Sequence, residues 1–552
     1  MSVTFHGIRK AAPTMPPAPS PRLRSSRFPA FFQVLAVAAA PVFFLPAGAA
    51  GQTTATAAVS PAAPPPASVP AAPVAPPPPI PPSPREFRGL WITTFFNIDW
   101  PSRKSDPSKQ REELIAIFDK ARAARFNAVF LQVRPCCDAF YKSPYEPWSE
   151  YLTGKQGTPP TEDWDPLAFA VAEAHKRGLE LHAWFNPYRA ATVTTTETLA
   201  PTHLARARPD LVRAYGKRLL LDPSEPAVQS YAVSVVMDVV KRYDVDGVHF
   251  DDYFYPDLLR GADKQPIQFP DQPNYERYKA DGGTLPKDDW RRDQVNMLVR
   301  RIAKEVRATG RPVKFGISPF GIWRPDHPKG VRGKDAYAEL YADSRQWLRD
   351  GTVDYLIPQL YWKMGAPGHG FEELLAWWTS QNPTGRHVWA GLASFKVKPA
   401  ADGWAAADIL AQVAHGRGQK GTGGFAFYNA TSLMEDRDGL AEKLAAGPFG
   451  GYALTPAFPW IDGAAPPAPA VAAEATGAGP VTARWAPGDR EALSVWAVYA
   501  NIGGTWRMTV IPAGQTSAVF GAGAAAPTAV AVAAVDRAGN ESARTIARVV
   551  RR

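Results

Sequence analysis

The sequence predicts an α/β protein: a (β/α)8 TIM-type barrel followed by a small all-β sandwich. Eight short apolar runs alternate with eight helical stretches between residues 88 and 445, which is the pattern of a parallel barrel. Residues 481–552 instead contain short strands separated by turn residues, as in a sandwich. An open doubly wound sheet is the alternative, but the first run, RGLWITTFFNIDWP, lacks the Gly-rich phosphate turn expected there.

The elements follow in order along the chain. The predicted strands are 88–94, 127–135, 179–187, 245–252, 312–319, 353–362, 387–394 and 423–429. The predicted helices are 109–125, 165–178, 226–243, 288–309, 335–350, 370–381, 405–418 and 432–445. We assign the barrel to residues 85–449, because this range holds all eight strand–helix pairs.

The chain ends differ in composition from the barrel. Residues 1–50 combine basic residues, an uncharged apolar run at 28–46 and small residues at 47–50, which is typical of a secretory signal peptide. A membrane-anchoring helix is the alternative, but Pro41 interrupts the run, which only just reaches spanning length. We therefore expect an exported protein, periplasmic or envelope-associated, with no membrane span after cleavage.

Two Pro- and Ala-rich stretches, 51–84 and 450–480, are predicted linkers. The second precedes the sandwich at 481–552, which resembles a fibronectin type III module, with Trp485 on an early strand and Tyr499 on a middle one. Such modules usually bind or space other domains, so we expect the chemistry to lie in the barrel.

Composition excludes several classes of protein. The 552 residues are 45% hydrophobic and 11% aromatic, which is too apolar for a wholly disordered chain. Two Cys exclude a disulfide scaffold and a Cys-based zinc module. Residues 1–50 carry five of the ten net positive charges, and the +5 that remains suits an anionic envelope polymer; no nucleic-acid motif is present. HExxH, G-x-S-x-G and P-loop motifs are also absent, and we predict neither a metal nor a cofactor.

The fourth apolar run carries the strongest chemical signal. In VDGVHFDDYFYP, side chains alternate, so His249 and Asp251 share one face and the apolar Val248 and Phe250 share the other. If the apolar pair faces the helices, Asp251 lies at the barrel mouth, where a carboxylate can stabilise an oxocarbenium-like centre. Asp252 follows directly, and capping of a helix by its side chain is an equally good interpretation.

Other predicted strand ends carry aromatic, amide and cationic side chains. Any one of them could belong to the core, but together they describe a long groove for a polyhydroxylated polymer. The candidate binding residues are Gln132, Arg134, Trp184, Asn186, Arg189, His249, Tyr253, Gln359, Tyr361, Trp362 and Tyr428.

Several ordered motifs resemble the glycosyl-hydrolase-like family 10. They are RGLWITT, QVRP, YEPWS, YLTGKQG, HAWFNPYR and YDVDGVHFDDYFYP, within residues 86–430. This bacterial envelope family includes divisome-localised hydrolases that act on peptidoglycan glycan strands. The resemblance implies a TIM-type barrel, export and hydrolysis of wall glycan. It also implies cell-division or envelope proteins as partners.

The order D-G-x-basic-x-D on the fourth strand is also similar to α-amylase-type barrels, whose last Asp is the nucleophile. That role falls on Asp251, although His249 replaces the usual Arg. Those barrels place a Glu after strand five, where this chain has Ser318. We therefore expect another general acid. Asp252 and Asp138 rank first, ahead of Glu146 and Asp326.

Three functions are compatible with these residues. The first is a glycosidase acting on peptidoglycan. The second is an inactive wall-glycan-binding protein, which the missing Glu after strand five supports. The third is a metal-dependent glycan deacetylase that would use Asp251, Asp252, His249 and His182, although no recognised ligand spacing is present.

Overall fold

The computed structural model describes residues 77–103, 105–399, 403–488 and 492–552. Within them, parallel strands β1–β8 form a closed barrel, and each strand pairs with its neighbours in chain order until β8 meets β1. Their bounds are Phe87–Ile92, Ala128–Arg134, Glu180–Phe185, Gly247–Phe250, Lys314–Ile317, Tyr355–Leu356, His387–Leu392 and Thr422–Phe427. This confirms the predicted barrel.

The outer helices α1–α8 are Pro107–Ala123, Pro166–His175, Pro226–Arg242, Lys287–Ala308, Ser344–Arg349, Phe371–Ser380, Ala406–Gly418 and Leu440–Ala446. Local sequence explains several starts: Asp106 and Asp165 each cap a helix whose first residue is proline. Two predicted helices are interrupted. Tyr341 adopts a φ of 53° between Ala336–Glu339 and α5, and Asp436 adopts a φ of 45° between Ala430–Met434 and α8.

The long loops of the barrel carry small elements of their own. The loop after β3 holds a three-stranded sheet of Arg189–Ala191, Val212–Tyr215 and Arg218–Leu221 together with helix Leu204–Ala207. The loop after β4 holds the strand pair Leu259–Arg260 and Pro266–Ile267 and the helix Gln272–Ala280. Helix Glu150–Thr153 follows β2. These loops build the rim at the carboxyl ends of the strands.

Aromatic and polar side chains fill the barrel interior. Phe87 stacks on Trp389 at 3.5 Å between centroids, and Phe130 packs against His249 at 4.5 Å. Gly247 is required here, because a Cβ at this position would lie 2.3 Å from Nδ1 of His182. The interior is therefore a packed core and not a channel, and the loops at the carboxyl ends of the strands are where barrels of this kind place their sites.

Residues after the barrel form two four-stranded sheets. One contains β9 Ala470–Ala475, β10 Val481–Ala486, β13 Ser517–Phe520 and β16 Val550–Arg551; the other contains β11 Leu493–Ile502, β12 Thr505–Pro512, β14 Ala529–Asp536 and β15 Thr545–Arg548. Trp485 and Trp496 meet in the core between them. The sequence placed 450–480 in a linker, whereas Ala470–Ala475 pairs with β10 as a strand.

The C-terminal module packs on the amino-terminal face of the barrel, opposite the rim loops. Arg537 forms ion pairs with Asp244 and Asp246, which directly precede β4. The end of the predicted first linker also joins this contact: the Pro78 carbonyl accepts a hydrogen bond from Trp506 at 2.7 Å. The predicted signal peptide lies outside the described residues. None of the helices that the structure describes is long and apolar enough to span a membrane.

Candidate active site

Asp251 lies immediately beyond β4 and is 6% exposed. Three donors surround its carboxylate: Trp184 Nε1 at 3.1 Å, Asn186 Nδ2 at 3.2 Å and the Tyr253 amide at 3.2 Å. Burial raises the pKa of Asp251, while the Arg189 charge and these hydrogen bonds oppose the increase. The donors thus favour the charged carboxylate and hold it in one orientation.

Asp252 sits next to Asp251 in a different environment. It is half-buried, and its Oδ1 accepts one side-chain hydrogen bond, from Gln359 Nε2 at 3.1 Å. Burial and the neighbouring Asp251 charge raise the pKa of Asp252 to about 7. Two adjacent carboxyls with different environments are suited to act as acid and charged base at neutral pH.

The loop sheet after β3 positions Arg189 beside this pair. The Asn186 side chain is fixed at both ends, because its Oδ1 accepts from the Arg189 amide at 2.9 Å while its Nδ2 donates to Asp251. The Arg189 guanidinium lies 4.2 Å from the Phe95 ring centroid and 4.4 Å from that of Tyr253. It is thus stacked between two aromatic faces, and Tyr253 is 41% exposed at the rim.

The segments that follow β6 and β8 contribute aromatic side chains on another side of the mouth. Tyr361 and Tyr428 stack at 6.3 Å between ring centroids, and Phe395 packs against both. Trp362 packs edge-on against Phe320. These half-buried rings offer the apolar faces on which sugar rings stack.

Two other predicted binding residues, Gln132 and Arg134, make internal contacts. Gln132 Oε1 accepts from the Thr94 and Phe95 amides, at 3.1 and 2.9 Å, and so fixes the loop after β1. Arg134 pairs with Glu146 at 2.6 Å, with both side chains fully enclosed, and donates to the Asn186 carbonyl. Their position is behind the carboxylate pair, where they hold Phe95 and Asn186 in place.

His249 belongs to a hydrogen-bonded chain inside the barrel. Its Nε2 accepts from Trp91 Nε1 at 3.2 Å, which leaves Nδ1 to donate to the Tyr355 hydroxyl at 3.2 Å. The chain continues with a hydrogen bond between Tyr355 and His182 and another between His182 and Glu180. Burial, with a smaller effect of His182, keeps the pKa of His249 well below its usual value, so the ring is neutral.

This placement separates the two histidines of the deacetylase alternative from the rim. His182 and His249 both bond to Tyr355 in the interior, while Asp251 is held by Trp184 and Asn186. Across the parts of the chain that the structure describes, no group of three or more His, Cys, Asp or Glu side chains is arranged to hold a metal ion.

The other candidate acids occupy distinct surroundings. Asp138 is 1% exposed and accepts from Gln156 Nε2 and the Cys136 amide, both at 3.2 Å. Burial raises the pKa of Asp138 to about 7. Glu146 forms an ion pair with Arg134. Asp326 is exposed and accepts a hydrogen bond from the Gly330 amide within its own turn.

Two residues near the pair were missed by sequence reasoning. Phe95 stacks on Arg189, and its position just after β1 could have marked it as a residue of the site. Lys334, from the loop after β5, lies near enough for its charge to lower the pKa of Asp252, against the stronger effect of burial. No pattern in the sequence marks Lys334, because its loop reaches the pair only through tertiary folding.

Comparison with known proteins identifies relatives of the barrel. A family model described as Glycosyl hydrolase-like 10 matches residues 86–405. Glycosyl hydrolase YngK of Bacillus subtilis (strain 168) is 41% identical over 399 residues, covering 70% of this chain and 76% of YngK. Glycosyl hydrolase DigH of Escherichia coli (strain K12) is 36% identical over 337 residues, covering 57% of this chain and 74% of DigH.

Among solved structures, the PgaB (BpsB) glycoside hydrolase domain from Bordetella bronchiseptica aligns with a TM-score of 0.44 at 14% identity, covering 65% of this chain and 98% of that domain. The family match is the stronger finding, because it extends from β1 to the start of α7 and includes both carboxylates beyond β4. The chain belongs to the glycosyl hydrolase-like 10 family.

Proposed function

We propose that this protein is an exported glycosidase that cleaves the glycan strands of peptidoglycan. The observation that carries the proposal is the pair Asp251 and Asp252 beyond β4, one ringed by donors and the other with a pKa near 7. Membership of a glycosyl hydrolase-like family supports a glycan-directed reaction. The choice of peptidoglycan as the substrate rests on the resemblance of the sequence motifs to the glycosyl-hydrolase-like family 10.

Each carboxyl has a role in this reaction. Protonated Asp252 donates its proton to the glycosidic oxygen as the C–O bond breaks. Charged Asp251 stabilises the positive charge that develops at the sugar carbon, and water completes hydrolysis. Trp184 and Asn186 hold Asp251 in place, so its charge needs no rearrangement in the transition state.

The rings around the pair would hold the polymer. Tyr361, Tyr428 and Trp362 lie on one side of the mouth, and Tyr253 lies on the other. A glycan crossing between them would place a glycosidic bond over Asp251 and Asp252. The C-terminal module, on the opposite face, is free to contact envelope or cell-division proteins without blocking the groove.

A glycan-binding protein without activity is a second candidate. It is favoured by the end of β5, where Ser318 is buried and its carbonyl accepts from Gln359 at 3.1 Å. This strand end therefore supplies no carboxylate. Binding by the aromatic rim would persist without hydrolysis.

The test is digestion of purified peptidoglycan, intact and stripped of stem peptides, with products identified by mass spectrometry. Asp251→Asn and Asp252→Asn should each lower the rate by about 10² to 10⁴. Asp138→Asn is the matched control, since it also changes a buried carboxyl of raised pKa but should keep most activity. Full activity of either β4 variant would refute the assignment. Parent protein that binds the wall without releasing fragments would establish the binding function.

A further inference from the structure

A cavity of about 430 Å³ opens beside the carboxylate pair. It lies between the turn that joins strands Val212–Tyr215 and Arg218–Leu221 and the segment 253–259 that follows β4. Asn186 and Arg189 form the wall nearest Asp251. We call this cavity the side pocket. Its size suits one substituted sugar ring, and its position is directly next to the bond that the pair would cleave.

The guanidinium of Arg189 makes unusually few hydrogen bonds for a buried cation. It is 5% exposed, yet its guanidinium makes one long hydrogen bond, to the Pro135 carbonyl at 3.5 Å. In the described residues no carboxylate lies within ion-pair distance of it. A guanidinium presents five donors, and burying them without an anion is costly. Stacking by Phe95 and Tyr253 keeps the group rigid and leaves its edge available to a ligand.

The outer part of the side pocket is also positively charged. Lys217 and Arg218 line it, are exposed, and have no acidic partner in the part of the chain that the structure describes. Asp257 is the one acidic residue among those that line it, and this carboxylate is already paired with Lys334. The pocket therefore attracts an anion.

The rest of the lining is apolar. Leu220, Leu259, Phe254 and Pro256 contribute carbon surface. The Tyr215 hydroxyl is already occupied, since it donates to the Ile267 carbonyl and accepts from the Leu259 amide. A fitting ligand must place apolar atoms against this wall and a negative charge near the cations. A carboxylate on a short apolar arm meets both conditions.

We propose that the side pocket binds a sugar bearing a carboxylate on a short apolar arm, next to the scissile bond, and selects for it. Muramic-acid-type sugars of wall glycan carry such an arm as an ether-linked lactic acid. This proposal rests on the proposed function, since it names the substituent that the same site recognises. Arg189 would bind the carboxylate, and Lys217 and Arg218 would draw it in.

The test compares two forms of peptide-free wall glycan, one with free carboxylates and one methyl-esterified. Parent protein should show kcat/KM at least tenfold higher for the free acid. The double variant Lys217→Ala/Arg218→Ala should reduce that preference at least fivefold. Lys279→Ala/Lys304→Ala is the matched control, because it removes the same charge from exposed helix positions and should keep the preference. Equal rates for acid and ester, or an unchanged preference in the pocket variant, would overturn the proposal.

Failure of the proposed function is measured separately. Calorimetric titration of Asp252→Asn with fragments of the same two glycans reports binding without turnover. Tenfold tighter binding of the free acid would support the side pocket even if the parent protein cleaves neither glycan. Equal affinity for acid and ester would overturn it whether or not hydrolysis occurs.

Discussion

Replacing Asp252 with Asn should make stability less sensitive to pH. The folded protein raises the pKa of Asp252 from 3.8 to about 7, mainly through burial and then through the Asp251 charge. The carboxyl thus binds its proton more tightly in the folded state than in the unfolded state. Its ionisation destabilises the fold progressively as pH rises from about 4 to about 7. Asn occupies the same volume, can still accept from Gln359, and cannot ionise.

The magnitude follows from the size of the pKa shift. A change of about three units corresponds to about 4 kcal/mol, at about 1.4 kcal/mol for each unit. Because Asp252 is half-buried, water reduces this value, and we expect about 2 to 4 kcal/mol. The unfolding free energy of Asp252→Asn, relative to the parent, should therefore increase by this amount between pH 4 and pH 8.

Urea unfolding of both proteins at a series of pH values, followed by tryptophan fluorescence, measures this difference. Asp257→Asn is a suitable control, because Asp257 lies in the same loop but is exposed and paired with Lys334. Its difference from the parent should change far less with pH. A stability difference for Asp252→Asn that is constant across the range would refute the reasoning, since it would mean that folding does not alter this proton affinity.

Two other predictions concern pH and the buried support of the site. The kcat/KM on wall glycan should be bell-shaped: it falls at low pH as Asp251 protonates, with a pKa raised by burial, and falls above about 7 as Asp252 loses its proton. Rates that still increase at pH 9 would contradict these roles. Glu146→Gln should lower the unfolding free energy by about 3 to 5 kcal/mol in urea titrations, because it leaves the enclosed Arg134 charge unpaired. A loss below about 1 kcal/mol would contradict that estimate, and Arg134→Met/Glu146→Met should recover part of the loss.

The barrel was predictable because local sequence sets most of it. Each strand is a short buried run, and proline and aspartate mark the starts of α1 and α2. The interrupted helix at 335–350 was not predictable in this way. Tyr341 adopts a left-handed backbone conformation there, and nothing in the local sequence indicates this break in the helix. Its hydroxyl accepts a hydrogen bond from Arg291, on a helix distant in sequence, at 2.7 Å.

The sequence by itself determined where Asp251 lies, because alternation along β4 and the position of a strand end are local properties. The sequence also predicted that Trp184 and Asn186 lie at the same rim, because the carboxyl ends of parallel strands meet there. Only the tertiary structure decided which polar side chains of this rim line the mouth of the barrel and which make internal contacts. Gln132 and Arg134 share that rim, yet they bond to Phe95 and Glu146. The direction of a polar side chain depends on hydrogen-bond and ion-pair partners that are distant in sequence, and local sequence patterns do not identify those partners.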